Sequence, residues 1–356
     1  MAVAQAAVPF GFRASHWHFY LPLVERRSLL HESLAVESFL ERIVIMSNTN
    51  TNEIDWMVPS GTFMGIPNGR TVRPGQAAII GIPFDCGTHP TRIGSRQGPA
   101  AIRQQSGLVR PHYPPLSDTN VLIDLNCVDL GDVAVTSSEV DKSFSAIEHA
   151  LDSVLFSGGY PVTMGGDGSI SLPQLRAVHR HYPDLVLLHI DAHTDAYDVP
   201  GYNTSSTFMR AAEERLIDVE RSYHVGARGT LALPGIYEHT RNLGYRLILG
   251  DDIRRRGVGD VMAEVRGTIG KRPVYLCFDM DYIDPSCAPG VATPTWGGPS
   301  ADAAFDLLHV LAGLKIVSFD VNTVSPPHDL GGMTACLAAH VMLIGLHLIA
   351  LGRNAG

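Results

Sequence analysis

Cysteine is scarce and unpaired in pattern: five residues, at 86, 127, 277, 287 and 336, with no CxxC spacing. An odd, scattered set excludes a disulfide framework and a zinc knuckle, and it points to a reducing, cytoplasmic setting. Positive charge is also in short supply. Lysine plus arginine number 27 against 36 acidic residues, a net charge of −9. The longest basic run, Arg254-Arg255-Arg256, follows Asp251 and Asp252 and reads as a solvated turn or the start of a helix. No basic surface for nucleic acid emerges. No segment approaches a charge-free apolar run of about 18 residues, so no membrane span is expected. The apolar tail from Cys336 to Leu351 is interrupted by His340 and His347 and reads as a buried terminal helix. A basic region followed by a continuous apolar stretch, as in a secretory signal, is missing from the first 45 residues.

What is present suits a compact α/β protein. Hydrophobic residues make up 45% of the 356, enough to bury a large core. Residues 1–45 read as an N-terminal extension, with a helical stretch over Ser28–Ile45 and an alternative start at Met46. Residues 46–76 read as an arm and 77–356 as a single domain. From Ala77 onward, apolar runs alternate with helical periods. Strands are expected at 77–82, 160–164, 185–190, 274–278 and 316–321, with helices at 172–182 and 301–314 and at the C-terminus. Phe144, Ile147, Leu151, Val154 and Leu155 mark one apolar helix face. Such alternation predicts a mostly parallel sheet with helices on both faces, and ligands then bind beyond the carboxyl ends of the strands.

Two acidic clusters follow strands directly. Asp191-Ala-His193-Thr-Asp195 follows the run ending at Ile190, and Asp279-Met-Asp281 follows the run ending at Phe278. If these segments stay extended, residues two apart share a side and the donors converge. Either cluster alone reads as a turn, a cap or a surface face. Together, at two buried strand ends, four carboxylates and an imidazole call for divalent cations, since their mutual repulsion would otherwise be severe. A pair of such ions generates hydroxide near neutral pH and clamps a developing tetrahedral centre.

These blocks, with Phe278–Gly290, Thr293–Gly298, Gly165-Gly-Asp167, Gly226-Ala-Arg228-Gly, Asp320 with Ser325-Pro-Pro, and Arg92–Arg103, resemble the signatures of the ureohydrolase (arginase/agmatinase) family, in the family's order from about residue 77 to 350. The resemblance implies a three-layer α/β/α fold, trimers or hexamers, manganese or nickel, and hydrolysis of a guanidine-type C–N bond. It also implies that Asp191 and Asp279 bridge two ions, that Asp195 completes one site, and that His193 and Asp281 complete the other. Carboxylate-rich donors favour manganese, and one imidazole also suits nickel or zinc.

Three positions depart from that pattern. Gly168 stands where the family has a histidine ligand, Thr204 where it has a proton-shuttling histidine, and Thr323 where many members have a guanidinium-facing glutamate. Thr204 and Thr323 are therefore expected at the substrate pocket without the family's chemistry. The pattern resembles the degenerate chain of heteromeric metformin (biguanide) hydrolases, which implies a complete paralogue as partner. The alternative expectation is a self-sufficient amidinohydrolase with an altered substrate, using His89 or His328 as proton carrier.

Overall fold

Strand identity follows from short apolar stretches whose alternate side chains separate onto two faces. A computed structural model describes residues 61–353 except 88 and 90. The chain divides into the units Met1–Val58 and Pro59–Gly356. The first unit, with the expected Ser28–Ile45 helix and the Met46 start, lies outside the described residues. In the second, eight strands form one sheet: β1 (Ala77–Ile82), β2 (Val128–Asp132), β3 (Tyr160–Gly165), β4 (Val186–Ile190), β5 (Tyr223–Ala227), β6 (Arg246–Leu249), β7 (Val274–Asp279) and β8 (Ile316–Asn322). Their order is β2-β1-β3-β8-β7-β4-β5-β6, and all neighbours run parallel.

The two faces carry two cores. Ile79, Val162, Leu188, Leu276 and Phe319 belong to one core, which also holds α1 (Gly98–Ser106), α2 (Val121–Asp124) and four later helices' apolar residues. Ile80, Leu187 and Tyr275, each one residue out of step with that set, belong with Val317 to the other, beneath α3 (Val140–Phe156), α4 (Ser171–His181) and α5 (Thr207–Glu213). Helix α3 presents the expected face: Phe144, Ile147, Leu151, Val154 and Leu155 are all buried, each contributing about 1.5–3 kcal/mol of transfer free energy. The remaining helices are α6 (Ile236–Asn242), α7 (Gly250–Arg256), α8 (Val258–Ile269), α9 (Ala301–His309) and α10 (Met333–Arg353).

Several sequence expectations shift. The triple arginine closes α7 rather than opening a helix: Arg254 and Arg255 reach back one turn to Asp251 and Asp252, which places cations at the negative end of the helix dipole. Helix α9 stops at His309, short of Leu314. Helix α10 is long and apolar enough to cross a membrane by length and composition, yet 72% of its most apolar window is buried. Residues 61–76, expected as an arm, pack onto the sheet. Phe63 is fully buried, its amide donates to Asp129 (2.8 Å), and Asn68 bridges to the same residue. Asp129 is in turn clamped by Arg103, whose Nε and Nη2 each lie 2.9 Å from it.

Candidate metal centre

The sheet order places β3, β8, β7 and β4 side by side at its middle. Their carboxyl ends border one cavity of about 850 Å³, whose lining includes His193, Asp195, Thr204, Asp279, Asp281 and Thr323, with Asp191 and Gly168 buried behind it. This is the crevice at a topological switch point that parallel α/β sheets use for ligands.

The acidic residues converge by capped turns, and the extended segments expected from the sequence are not what brings them together. Asp191 Oδ1 accepts the His193 amide at 2.5 Å, and Asp279 Oδ1 accepts the Asp281 amide at 2.7 Å. Each first aspartate folds its own chain back, so that the residue two positions on rejoins it. Asp195 adopts a left-handed φ of 46°. From there the chain loops out and returns, with the Tyr197 amide on Ser205 O and the Phe208 amide on Asp195 O, both 2.8 Å. The return carries Thr204 to the cavity. The Ala192 amide donates to Asp281 Oδ1 (3.3 Å), linking the ends of β4 and β7.

Two donor groups result, Asp191 with His193 and Asp281, and Asp191 with His189 and Asp195. Within each group the ligand atoms lie within 4.8 Å of one another. Asp191 is common to both. His193 directs Nδ1 at Asp191 (3.2 Å) and Asp281 (3.1 Å), while Thr295 Oγ1 holds its Nε2 at 3.1 Å. Asp279 lines the cavity but stands outside both groups, its Oδ1 taken by the Asp281 amide and the Thr323 hydroxyl.

The electrostatics suit a cation. Burial, then the charge of Asp191, pushes the Asp195 carboxyl well above the usual range, and burial, then Asp281 and Asp191, does the same to Asp279. Burial and Asp191 raise Asp281 to about 6. Burial acts on Asp191 in the same direction, but His189 and His193 outweigh it and hold that carboxylate ionised. Burial would lower His193, but Asp281 and Asp191 outweigh it and keep the imidazole well above its ordinary value. A buried carboxylate need not want a metal. Asp320, in mid-strand, accepts from Ser171 (2.6 Å), Thr163 (3.0 Å), Tyr275 (3.1 Å) and Asn322 (3.2 Å). Asp191 Oδ2 differs. Apart from His189 Nε2 at 2.9 Å, Oδ2 is buried with no partner. The donor set therefore fits a divalent ion.

The departures meet on the opposite wall. A Cβ built on Gly168 lies 3.1 Å from Asp195 Oδ2 and 2.9 Å from Thr204 Cγ2, so the missing donor and the threonine face the same carboxylate. Thr204 Oγ1 is buried without a partner. Thr323, with a φ of 66°, gives its hydroxyl to Asp279, so that hydroxyl is already engaged. His89 lines the cavity, its Nδ1 accepting the amides of Thr91 (3.3 Å) and Arg92 (3.2 Å). His328 is not among the lining residues; its Nδ1 pairs with Ser325 Oγ at 2.8 Å.

His189, His224 and Thr295 escaped the sequence reading. For the histidines the signal was visible: an imidazole inside an otherwise apolar strand, two residues before a functional aspartate in the case of His189.

A doubly wound sheet with an acid-rich, histidine-bearing crevice at its switch point defines a metal-binding α/β protein of the hydrolase kind. The sequence from residue 75 to 346 matches the arginase family, and the chain belongs to that family. It is 37% identical to the guanidinobutyrase of Pseudomonas aeruginosa over 270 residues, 75% of this chain and 84% of that protein. It is also 37% identical to the guanidinopropionase of the same organism over 294 residues, 81% of this chain and 91% of that one. Proclavaminate amidinohydrolase from Streptomyces clavuligerus superposes with a TM-score of 0.78 at 32% identity, over 83% of this chain and 98% of that one.

Proposed function

We propose that this chain is a subunit of a metal-dependent guanidine hydrolase, weakly active or inactive alone, working with a complete paralogue in a trimer or hexamer. The observation that carries the proposal is the meeting of Gly168 and Thr204 at the Asp195 carboxylate. A ligand position and a proton carrier are absent at one point of one wall, while Asp191, His193, Asp195 and Asp281 remain. Asp191, His193 and Asp281 would hold one ion, and Asp195 with Asp191 would hold a second less completely. Carboxylate donors favour manganese, with nickel as the other candidate. Such ions supply Lewis acidity toward water and toward the carbon under attack. The chain itself contributes the acidic floor that receives a cationic guanidine. It lacks a side chain at 168, 204 or 323 able to move a proton or pair with that cation.

The cavity also bears on substrate. Arg92 is the sole lysine or arginine among its described lining residues, and its guanidinium is spent on the carbonyls of Pro289, Val291 and Ala292 (2.7–3.2 Å). The outer wall is apolar, with Val140, Val199, Tyr202, Leu231 and Leu233. A guanidine bearing a small apolar tail, a biguanide such as metformin among them, suits this lining better than a guanidino acid, whose carboxylate would find no free lysine or arginine among the described lining residues. The second reading, a self-sufficient hydrolase, is favoured by one observation: His89 lines the cavity with Nδ1 already engaged by backbone amides. Hydrolysis of N-alkyl guanidines and biguanides by the single chain, then by a mixture with its paralogue, separates the two readings.

A further inference from the structure

Two imidazoles stand behind Asp191 that the proposed chemistry does not use. His189 on β4 and His224 on β5 are paired in register across the sheet, and both are buried, at 1% and 0% exposure. Their Nδ1 atoms are 2.8 Å apart, and His189 Nε2 is 2.9 Å from Asp191 Oδ2. Aromatic rings close the space around them. Phe208 lies 4.3 Å from His189 and 5.4 Å from His224, centroid to centroid, and Tyr245 lies 4.5 Å from His224. The Tyr245 hydroxyl donates to Phe208 O at 2.7 Å and locks that cover in place.

This geometry fixes where one proton of His189 must sit. Two nitrogen lone pairs cannot face each other at 2.8 Å, so one Nδ1 carries a hydrogen. If His189 carried it, its neutral ring would turn the Nε2 lone pair toward the Asp191 carboxylate, setting acceptor against acceptor at 2.9 Å. If His224 carries it, His189 carries Nε2–H and presents a donor to that carboxylate. The charge on Asp191 therefore demands a hydrogen on His189 Nε2, whether His224 Nδ1 donates to a neutral His189 or accepts from a doubly protonated one.

We infer that His224 and His189 are positioning residues. The bond between the two Nδ1 atoms fixes the ring of His189, and His189 Nε2–H restrains Asp191, the carboxylate shared by both donor groups. The inference rests on the reading of Asp191 as a metal ligand. Partners that orient a ligating side chain in this way typically change metal affinity by about 10–100-fold. Because Asp191 is shared, loss of its restraint weakens both donor groups together.

The test has two readouts on the full-length chain. Long-range ¹H–¹⁵N spectra of histidine-labelled, metal-free protein report which ring nitrogen carries the proton, with assignments from His189→Gln and His224→Gln. His189 is expected to carry a hydrogen on Nε2. Calorimetric titration with Mn²⁺ is expected to show about 10–100-fold weaker binding by His224→Leu. His224→Gln, whose amide can donate to His189 Nδ1, should recover most of that loss. A His189 ring without a hydrogen on Nε2 would overturn the inference, as would a folded His224→Leu that binds Mn²⁺ as tightly as the parent. A parent chain that binds neither Mn²⁺ nor Ni²⁺ would instead overturn the metal reading and the purpose given to the relay, while the spectra would still decide the tautomers.

Discussion

The floor of the cavity, where β4 and β7 end, carries Asp191, His193, Asp195, Asp279 and Asp281, and buried neighbours hold several of them: Thr295 on His193, Ala192 on Asp281, His189 beside Asp191. The facing wall, fed by β3, β8 and the loop before α5, offers Gly168, an unpartnered threonine hydroxyl and a threonine hydroxyl given to Asp279. The architecture of that poorer wall is nevertheless complete. Asp167 still ties the β1 loop to the β3 turn through Cys86 (2.7 Å) and Ser169 (3.1 Å), and Asp320 keeps its four donors. What differs between the walls is donor chemistry. Folding constraints are kept on both sides, whereas both candidate donor groups lie on the floor.

The largest effect should come from the rich side. Asp191→Asn removes the carboxylate common to both donor groups, and calorimetric titration should show Mn²⁺ binding weakened beyond the roughly 100-fold expected of a merely supporting residue. Unchanged affinity would remove Asp191 from the metal site. On the poor side, Gly168→His should raise the metal stoichiometry, provided that Thr204 Cγ2 yields from the 2.9 Å approach. Combining it with Thr204→His and Thr323→Glu should raise guanidine hydrolysis by the single chain about 10²–10⁴-fold. A complete triple variant with no gain would show that the two walls do not differ in the way proposed.

The acidic floor also sets a pH dependence. The Asp281 carboxyl, at about 6 in the fold, stands above the roughly 3.9 of an unfolded chain. Between these values the folded state keeps a proton that the unfolded state has released. Its stabilisation is therefore full below the unfolded value and is lost as pH rises through about 6. His193, raised by its acidic neighbours, contributes with the same sign: full below about 6.5 and lost as pH rises through its folded value. The melting temperature of chelator-treated protein should fall between about pH 5 and 7. Mn²⁺ at about a hundred times its Kd should add ~2.7 kcal/mol and flatten that slope. A flat profile without metal would contradict the crowding of charge. The smallest effect is expected from His89→Ala, which should leave the activity of a mixed assembly unchanged. A fall of about 10²–10⁴-fold in a single-chain activity would make His89 the proton carrier of a self-sufficient enzyme.

Much of this was legible in the sequence where burial on both faces left mostly apolar runs, as in β1, β3, β4 and β7, with β8 readable despite Ser318 and Asp320, and these strands lead to the candidate site. The missed strands are outer ones. β2 reads Val-Asp-Leu-Gly-Asp and β6 Arg-Leu-Ile-Leu, edge strands carrying charge. β5 hides its pattern behind His224 and Gly226. Candidate donors could be picked out by their place after β4 and β7, but the way they converge could not: an Asx turn and an extended segment place the same three letters differently. The separation of Asp279 from both donor groups and the engagement of Thr323 with it depend on contacts across the sheet that no local spacing encodes.

The central claim is tested most directly by measuring metal content and hydrolysis of guanidine compounds for the purified chain alone and after mixing with its complete paralogue. Activity confined to the mixture, with about one ion or fewer on this chain, is the predicted result. Two tightly held ions and turnover by the single chain would contradict it.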